Sequence, residues 1–169
     1  KENGDFGQYF YPYPDKDKSK TLNEKRLESI FIENEKKGFI PEIVMMQSWG
    51  RIIGTKKLST LKEKYNFKLI NIAMDDRHTF WIKDDPKKGV AGLLPILDLA
   101  LTTAPEAVQW YQKENVPALF FPEGSSLDFY HPLNIEKKYD VGFVGANYGY
   151  RKEIVQKIEK AGINITTFG

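Results

Sequence analysis

The chain has 169 residues, with 25 basic and 23 acidic side chains, a formal net charge of +2 and no cysteine. The missing cysteine excludes disulfides, thiolate metal ligands and cysteine nucleophiles, and the intermixed charges provide no basic stripe for binding nucleic acid. No apolar run approaches the length of a transmembrane segment, and the length suits one globular domain with part of another.

The predicted elements alternate between helices and strands along the chain. The tyrosines and prolines at 9–14 predict a strand end followed by a loop. Thr21 and Glu24 have the spacing of a capping box, so a helix is predicted to begin there, and Gly38 is predicted to end it. The next elements, in chain order, are a strand at 42–46, a helix with Leu58, Leu61 and Tyr65, a strand at 68–74, a short helix at 89–97, a strand at 99–103, a helix from Pro105 and a strand at 118–121.

A second and shorter β-α-β pattern follows. It has a strand at 141–144, a helix with Ile154, Val155 and Ile158 that Gly162 ends, and a strand at 163–167. Repeated β-α alternation with short loops predicts an α/β protein with a doubly wound, mostly parallel sheet and helices on both faces. We expect parallel pairing among the strands near 43–46, 69–74, 99–103 and 118–121.

The passage between the two patterns contains Pro122-Glu123-Gly124, then Asp128, Phe129 and Pro132, and then the strand that ends at Gly145. This order resembles the interdomain joint of GT-B-type glycosyltransferases, in particular the bacterial CgeB-like (spore-maturation) glycosyltransferases. The resemblance covers residues 40–169. It implies an acceptor-side, Rossmann-like domain at 1–134 and the start of a nucleotide-sugar (donor) domain at 135–169.

By the same resemblance, the protein is expected to be a cytoplasmic enzyme that transfers a sugar from a nucleotide-sugar donor to an acceptor. The family implies no metal and no cofactor, because helix N-termini and basic groups stabilise the leaving diphosphate. Most donor contacts are expected in the remainder of the same polypeptide. The piece is therefore expected to be inactive alone.

Asp75, Asp76 and His78 are the predicted catalytic residues. They follow the strand at 68–74 directly, and ligands of doubly wound sheets gather at the carboxyl ends of strands. Repulsion between adjacent carboxylates can raise one pKa toward that of a general base, which would deprotonate an acceptor hydroxyl. The CgeB-like family resembles this sequence in having an Asp-Asp pair at the equivalent strand end. The alternative is that one aspartate caps the next turn. No residue set has the spacing of a metal site.

The predicted donor-binding residues lie at two strand ends. A glycine after a strand lets backbone approach a phosphate, a helix N-terminus favours its charge, and an arginine in the first turn can pair with a diphosphate. The residues of this loop and helix start are Gly145, Ala146, Asn147, Tyr148 and Arg151. Glu123 and Gly124 follow the strand at 118–121 and could bind a sugar or ribose hydroxyl, or could form a turn in which Gly124 has positive φ.

Three other segments have both a functional and a structural interpretation. Trp49, in the segment 47–49, could stack on a sugar or pack in the core, whereas capping is the favoured role of 102–105. The aromatic cluster at 9–13 could bind the acceptor, but packing over a sheet edge is the favoured role.

Two other functions remain open at this stage. The first is a non-catalytic flavodoxin-like or receiver-like module, although Thr103 and Glu123 stand where a receiver would need an aspartate and a lysine. The second is one lobe of a sugar-binding protein.

Overall fold

The computed structural model describes residues 15–146 and 149–169. The chain divides into two compact units, one up to Gly124 and one from Ser125 onward. The sequence predicts a boundary at 134–135, which lies in the irregular segment that opens the second unit. The predicted loop and aromatic cluster at 9–14 lie outside the described residues.

The first unit is an α/β fold with a four-stranded parallel sheet in the order β1-β2-β3-β4. This confirms the predicted α/β class and the parallel pairing of the four strands. Its described elements, in chain order, are α1 (Lys16–Lys36), β1 (Ile43–Met46), α2 (Thr55–Tyr65), β2 (Lys68–Ala73), α3 (Asp76–Thr79), two 3-10 segments (Pro86–Lys88 and Val90–Ile96), β3 (Leu99–Thr102), α4 (Ala107–Lys113) and β4 (Ala118–Phe120).

One face of this sheet carries the core. Crossovers in parallel sheets are right-handed, so strands that are neighbours in chain order place their connecting helices over the same face. In β2, Leu69, Asn71 and Ala73 are buried, whereas Ile70 and Ile72 between them are only partly buried. Within the described residues, the helices of the first unit therefore cover one face of the sheet, whereas a doubly wound sheet has a layer of helices on each face.

The core lies between that buried face and the helices. Phe31 of α1 stacks on Tyr65 and Phe67, with ring centroids 4.8 and 5.1 Å away. Phe80, which follows α3, meets the fully buried Tyr111 of α4 edge to face at 4.9 Å. The predicted inward position of Tyr111 is confirmed, and aromatic contacts connect the helices over the sheet.

The start of α1 differs from the sequence prediction. Asp15 is its N-cap, and the Asp15 carboxylate accepts from the N–H groups of Asp17 (2.9 Å) and Lys18 (3.1 Å). The capping box predicted from Thr21 and Glu24 is wrong because both lie inside the helix. Glu24 instead accepts from the N–H group of Gly54 (2.9 Å), a partner far away in sequence.

The loop after β1 packs backbone to backbone against the 3-10 segments. The Gly50 N–H donates to the Gly89 carbonyl and the Arg51 N–H to the Lys88 carbonyl, both at 2.9 Å. A methyl group at either Gly50 or Gly92 would overlap the Lys87 carbonyl oxygen. Glycine is needed at both positions because the two backbones leave no room for a side chain.

The second unit contains one β-α-β element with strands in parallel, namely β5 (Val141–Val144), α5 (Tyr150–Lys160) and β6 (Ile165–Phe168). Gly162 has φ +78° just past the end of α5, as the sequence predicts for a helix-ending glycine. Among the described helices of both units, none is long and apolar enough to cross a membrane.

Replacing Gly50 with alanine should lower the free energy of unfolding of the first unit by about 1–3 kcal/mol, because overpacking forces the backbone apart. Urea unfolding followed by tryptophan fluorescence isolates this unit, because Trp49, Trp81 and Trp110 all lie in it. Gly124→Ala is the control, because its added methyl would have no atom within 4 Å. Equal midpoints for the two variants would contradict the tight backbone contact.

Candidate functional site

A small indentation lies where the carboxyl ends of β1 and β2 meet. It has a cavity volume of about 20 Å³, which is far smaller than that of a ligand pocket. Ligands of parallel α/β sheets bind at this edge. We call it the β1–β2 indentation, and its lining residues are Gln47, Ser48, Trp49, Ile72, Ala73, Met74, Asp75, Thr79 and Val90.

Asp75 is the predicted catalytic residue that lies in the β1–β2 indentation. It occupies the N-cap position of α3, and its backbone carbonyl accepts from the N–H groups of His78 (2.9 Å) and Thr79 (2.8 Å). Its side chain makes no capping hydrogen bond and is exposed. The Asp75 carboxylate therefore does not cap the turn, and it remains accessible to a ligand.

Asp76 lies in the core, with only 1% of its surface exposed. The Tyr111 hydroxyl donates to its carboxylate, at 2.9 Å from Oδ1 and 3.1 Å from Oδ2. The alternative that one aspartate caps the next turn does not hold for Asp76, because its carboxylate binds hydroxyl groups and not turn N–H groups. A general base must reach the proton that it removes. The burial of Asp76 is therefore a correction to its predicted catalytic role, and we interpret this residue as structural.

The pKa of the Asp76 carboxyl is raised above its ordinary value, and the main cause is burial. Hydrogen bonds from Thr102 and Tyr111 act in the opposite direction, and the charge of Asp75 makes the smallest contribution. The predicted repulsion between the two aspartates is thus present but minor. Burial also raises the pKa of Tyr111 above its ordinary value, so Tyr111 stays a hydrogen-bond donor.

Asn71 holds the loop that forms one wall of the indentation. Its fully buried side chain accepts from the Ser48 N–H at 3.0 Å through Oδ1. Its Nδ2 has no hydrogen-bond partner among the described residues, and an unpaired buried donor costs about 1–3 kcal/mol. Asn71 therefore positions the residues that follow β1. Trp49 is partly buried and packs on the core while also lining the indentation, so both interpretations of it describe part of its surface.

His78 and the residues at the end of β3 do not line the indentation. His78 is exposed on α3, and its predicted catalytic role gains no support from its position. The Thr102 hydroxyl accepts from the Ala104 N–H at 3.1 Å, but α4 begins only at Ala107 and has no side-chain cap, so the predicted helix-capping role of this segment is wrong. Thr103 donates to the Met74 carbonyl at 2.7 Å and so connects the ends of β3 and β2.

The predicted donor-binding residues belong to different units. Glu123 and Gly124 are exposed at the end of the first unit, and Gly124 is not among the described glycines with positive φ. The turn alternative that required such a φ is therefore wrong. The remaining predicted donor residues lie in the second unit.

In the second unit, the loop from β5 to α5 begins with Gly145 and Ala146, whose backbone groups already form hydrogen bonds. The Gly145 N–H donates to the Phe168 carbonyl at 2.8 Å, so this amide serves the sheet and not an open cleft. Arg151, in the first turn of α5, donates from Nη1 to the Ala146 carbonyl at 3.2 Å. The predicted donor-binding residues Asn147 and Tyr148 lie outside the described residues. Within the described residues, no side-chain hydrogen bond caps α5 at Gly149.

Within the described residues, no group of three or more histidine, cysteine, aspartate or glutamate side chains is placed to hold a metal ion. Comparisons with protein families, with curated proteins and with solved structures find no match to this chain. The chemistry of the site therefore rests on the geometry of its own residues.

Stability should report the burial of Asp76. A group whose folded-state pKa is raised binds its proton more tightly in the fold, so its stabilisation is present at low pH and is lost as pH rises through the folded-state value. Asp76→Asn removes that titration and can keep a hydrogen bond from Tyr111. The free energy of unfolding of the Asp76→Asn variant, minus that of the parent, should therefore increase from acid to neutral pH.

The matched control is Asp75→Asn, the exposed neighbour, which should leave the pH dependence near that of the parent. Tyr111→Phe should destabilise the fold at neutral pH by about 1–3 kcal/mol, because it removes a donor from a buried carboxylate. Urea titrations at several pH values, followed by tryptophan fluorescence, provide the measurement. Parallel pH curves for Asp76→Asn and the parent would refute the buried titration.

Proposed function

We propose that the chain belongs to a GT-B-type glycosyltransferase, with the first unit on the acceptor side and the second unit contributing to the nucleotide-sugar site. The observation that carries the proposal is the succession of two α/β units, each with its own parallel sheet. The second unit contains a strand, a glycine-containing loop and a helix in succession, an arrangement suited to a phosphate. The resemblance of the joint between the two units to CgeB-like enzymes supports the same function.

On the donor side, we propose that the start of α5 binds the diphosphate of the nucleotide sugar. The first N–H groups of a helix have no partner within the helix and favour negative charge. Arg151 lies in this first turn and is exposed, and its Nη1 donates to the Ala146 carbonyl. An arginine here can form a charge-assisted fork with phosphate oxygens. Such contacts would stabilise the diphosphate as it leaves the sugar.

On the acceptor side, we propose that Asp75 binds or deprotonates the acceptor hydroxyl. In the transfer step, the hydroxyl oxygen attacks the anomeric carbon, the bond from this carbon to the phosphate oxygen breaks, and the base takes the hydroxyl proton. Asp75 is favoured over Asp76 because it is exposed in the β1–β2 indentation, whereas Asp76 is bound to Tyr111 in the core. Trp49, in the same indentation, could stack on a sugar.

Removing the charge of Arg151 should weaken nucleoside diphosphate binding. In the full-length natural polypeptide, Arg151→Met should raise the dissociation constant of the preferred nucleoside diphosphate by about tenfold or more, since a charged hydrogen bond contributes about 1.5–3 kcal/mol. Calorimetry with the common nucleoside diphosphates, and with the nucleoside alone, measures this. The nucleoside alone should be little affected, because it has no phosphate.

Lys152→Met is the matched control, because it removes a positive charge from the same turn of α5. If both variants lose affinity equally, the effect is general electrostatics and Arg151 has no specific role. If the Arg151 variant binds like the parent, this helix start is not part of the donor site. Diphosphate binding without any sugar transfer would favour the non-catalytic alternative.

Replacement of the Asp75 carboxylate should show whether it acts as a general base or as an anchor for the acceptor. With the nucleotide sugar that the full-length protein uses, Asp75→Asn should lower kcat by about 100-fold or more if Asp75 is a general base. A rise in the KM of the acceptor with kcat unchanged would identify an anchor instead. Asp84→Asn, on an exposed residue that does not line the β1–β2 indentation, is the control. Parental kcat and KM in the Asp75 variant would remove it from the site.

A further inference from the structure

The β1–β2 indentation brings together two exposed polar side chains, Gln47 and Asp75. Gln47 follows β1 directly, and Asp75 lies two residues after the end of β2. Within the residues that the structure describes, neither side chain forms a hydrogen bond or an ion pair. A carboxylate only accepts hydrogen bonds, whereas the glutamine amide both donates and accepts. The two groups are therefore available to a ligand that both donates and accepts.

The size of the indentation limits what can enter it. Its cavity volume is about 20 Å³, and one water molecule needs about 10–15 Å³ of such volume. The indentation therefore has room for one hydroxyl group and not for a ring. Its wall after β1 is held by two hydrogen bonds, from the Ser48 N–H to Asn71 Oδ1 at 3.0 Å and from the Gly50 N–H to the Gly89 carbonyl at 2.9 Å. Widening the indentation would require these bonds to break.

The groups at the indentation favour a hydroxyl over an ammonium group. The Thr79 hydroxyl donates to the Asp75 carbonyl at 2.8 Å, so its oxygen can only accept from a ligand. A hydroxyl can donate to Asp75 and accept from the Gln47 amide, whereas an ammonium group has no lone pair for that amide. Trp49 adds aromatic surface to the same indentation, against which the C–H groups of a sugar ring can pack. Hydroxyl groups beside C–H surface are characteristic of a carbohydrate.

We propose that the β1–β2 indentation receives one hydroxyl group of a carbohydrate, which makes a carbohydrate the acceptor class of the proposed transferase. The inference rests on the proposed function and specifies its substrate. The inserted hydroxyl donates to the Asp75 carboxylate and accepts from Gln47 Nε2, while the sugar ring stays outside, against Trp49. Gln47 is then a specificity-determining residue. Loss of the hydroxyl leaves both polar side chains unpaired, and its methylation makes the group too large for the cavity.

Binding of defined sugars to the full-length natural polypeptide tests this inference. The probes are the methyl glycosides of glucose, galactose, mannose and N-acetylglucosamine, titrated by NMR up to their solubility limits, with and without the preferred nucleoside diphosphate. For the glycoside that binds best, the monodeoxy and mono-O-methyl analogues should both lose about tenfold or more in affinity at one and the same ring position. No binding by any glycoside, or tighter binding of methylammonium than of all four, would overturn the proposal.

Substitution of Gln47 shows whether that hydroxyl lies in the β1–β2 indentation. Gln47→Leu should raise the Kd of the best glycoside by about two- to tenfold, the effect of one hydrogen bond. It should also reduce the affinity lost on removing the hydroxyl, because the two changes remove the same contact. Gln112→Leu, on an exposed residue of α4 that does not line the indentation, is the control. Equal Kd values for the two variants would overturn the proposal.

Failure of this inference can be told apart from failure of the proposed function. Sugar binding that depends on Gln47, without transfer from any nucleotide sugar, would support the hydroxyl site and contradict the glycosyltransferase. Transfer to a lipid or peptide alcohol, with no sugar bound at the indentation, would overturn this inference and leave the glycosyltransferase standing.

Discussion

The geometry of the candidate site depends on one steric constraint, the contact between the loop after β1 and the 3-10 segments. Gly50 and Gly92 both lie against the Lys87 carbonyl, so the two backbones meet without an intervening side chain. This contact fixes the loop that carries Ser48 and brings Val90 beside it in the β1–β2 indentation. Asn71 fixes the same loop from the sheet, through the Ser48 N–H. The indentation is thus preorganised by backbone contacts and one buried amide, and requires no long side chain for its support.

Asp75 and Asp76 are adjacent in sequence but have opposite environments, because the chain turns into α3 between them. One side chain faces solvent at the end of β2, and the other enters the core beside Tyr111. The pair therefore resembles two independent carboxyl groups more than a coupled dyad, and burial affects Asp76 more than its neighbour's charge does. The buried aspartate and tyrosine connect the end of β2 to α4. The buried Asp76 carboxylate thus stabilises the turn on which the Asp75 carboxylate is exposed.

Local patterns predicted the elements of the fold well, because apolar periodicity and glycine positions act over a few residues. The strand at 42–46 and the helix end before Gly38 agree with the structure. The capping box at Thr21 failed because Asp15 caps α1 and Glu24 binds Gly54, a long-range partner that local spacing does not reveal. The burial of Asp76 was equally hidden, since Tyr111 lies on a different helix. Only Asn71 could have been recognised from the local sequence as a residue that shapes the site, because it is a polar residue among the apolar residues of β2.

The strand order has a consequence for how the chain folds. Within the four-stranded sheet, the strands that pair are consecutive in sequence, and β5 pairs with β6 in the same way. Every sheet pairing thus closes a loop only one crossover long, so the entropy lost at each step is small compared with that of a sheet that interleaves distant strands. A ribosome would release these strands in the order in which they pair. The sheet can therefore grow by single-strand addition while synthesis continues, with each new strand docking on an edge that already exists.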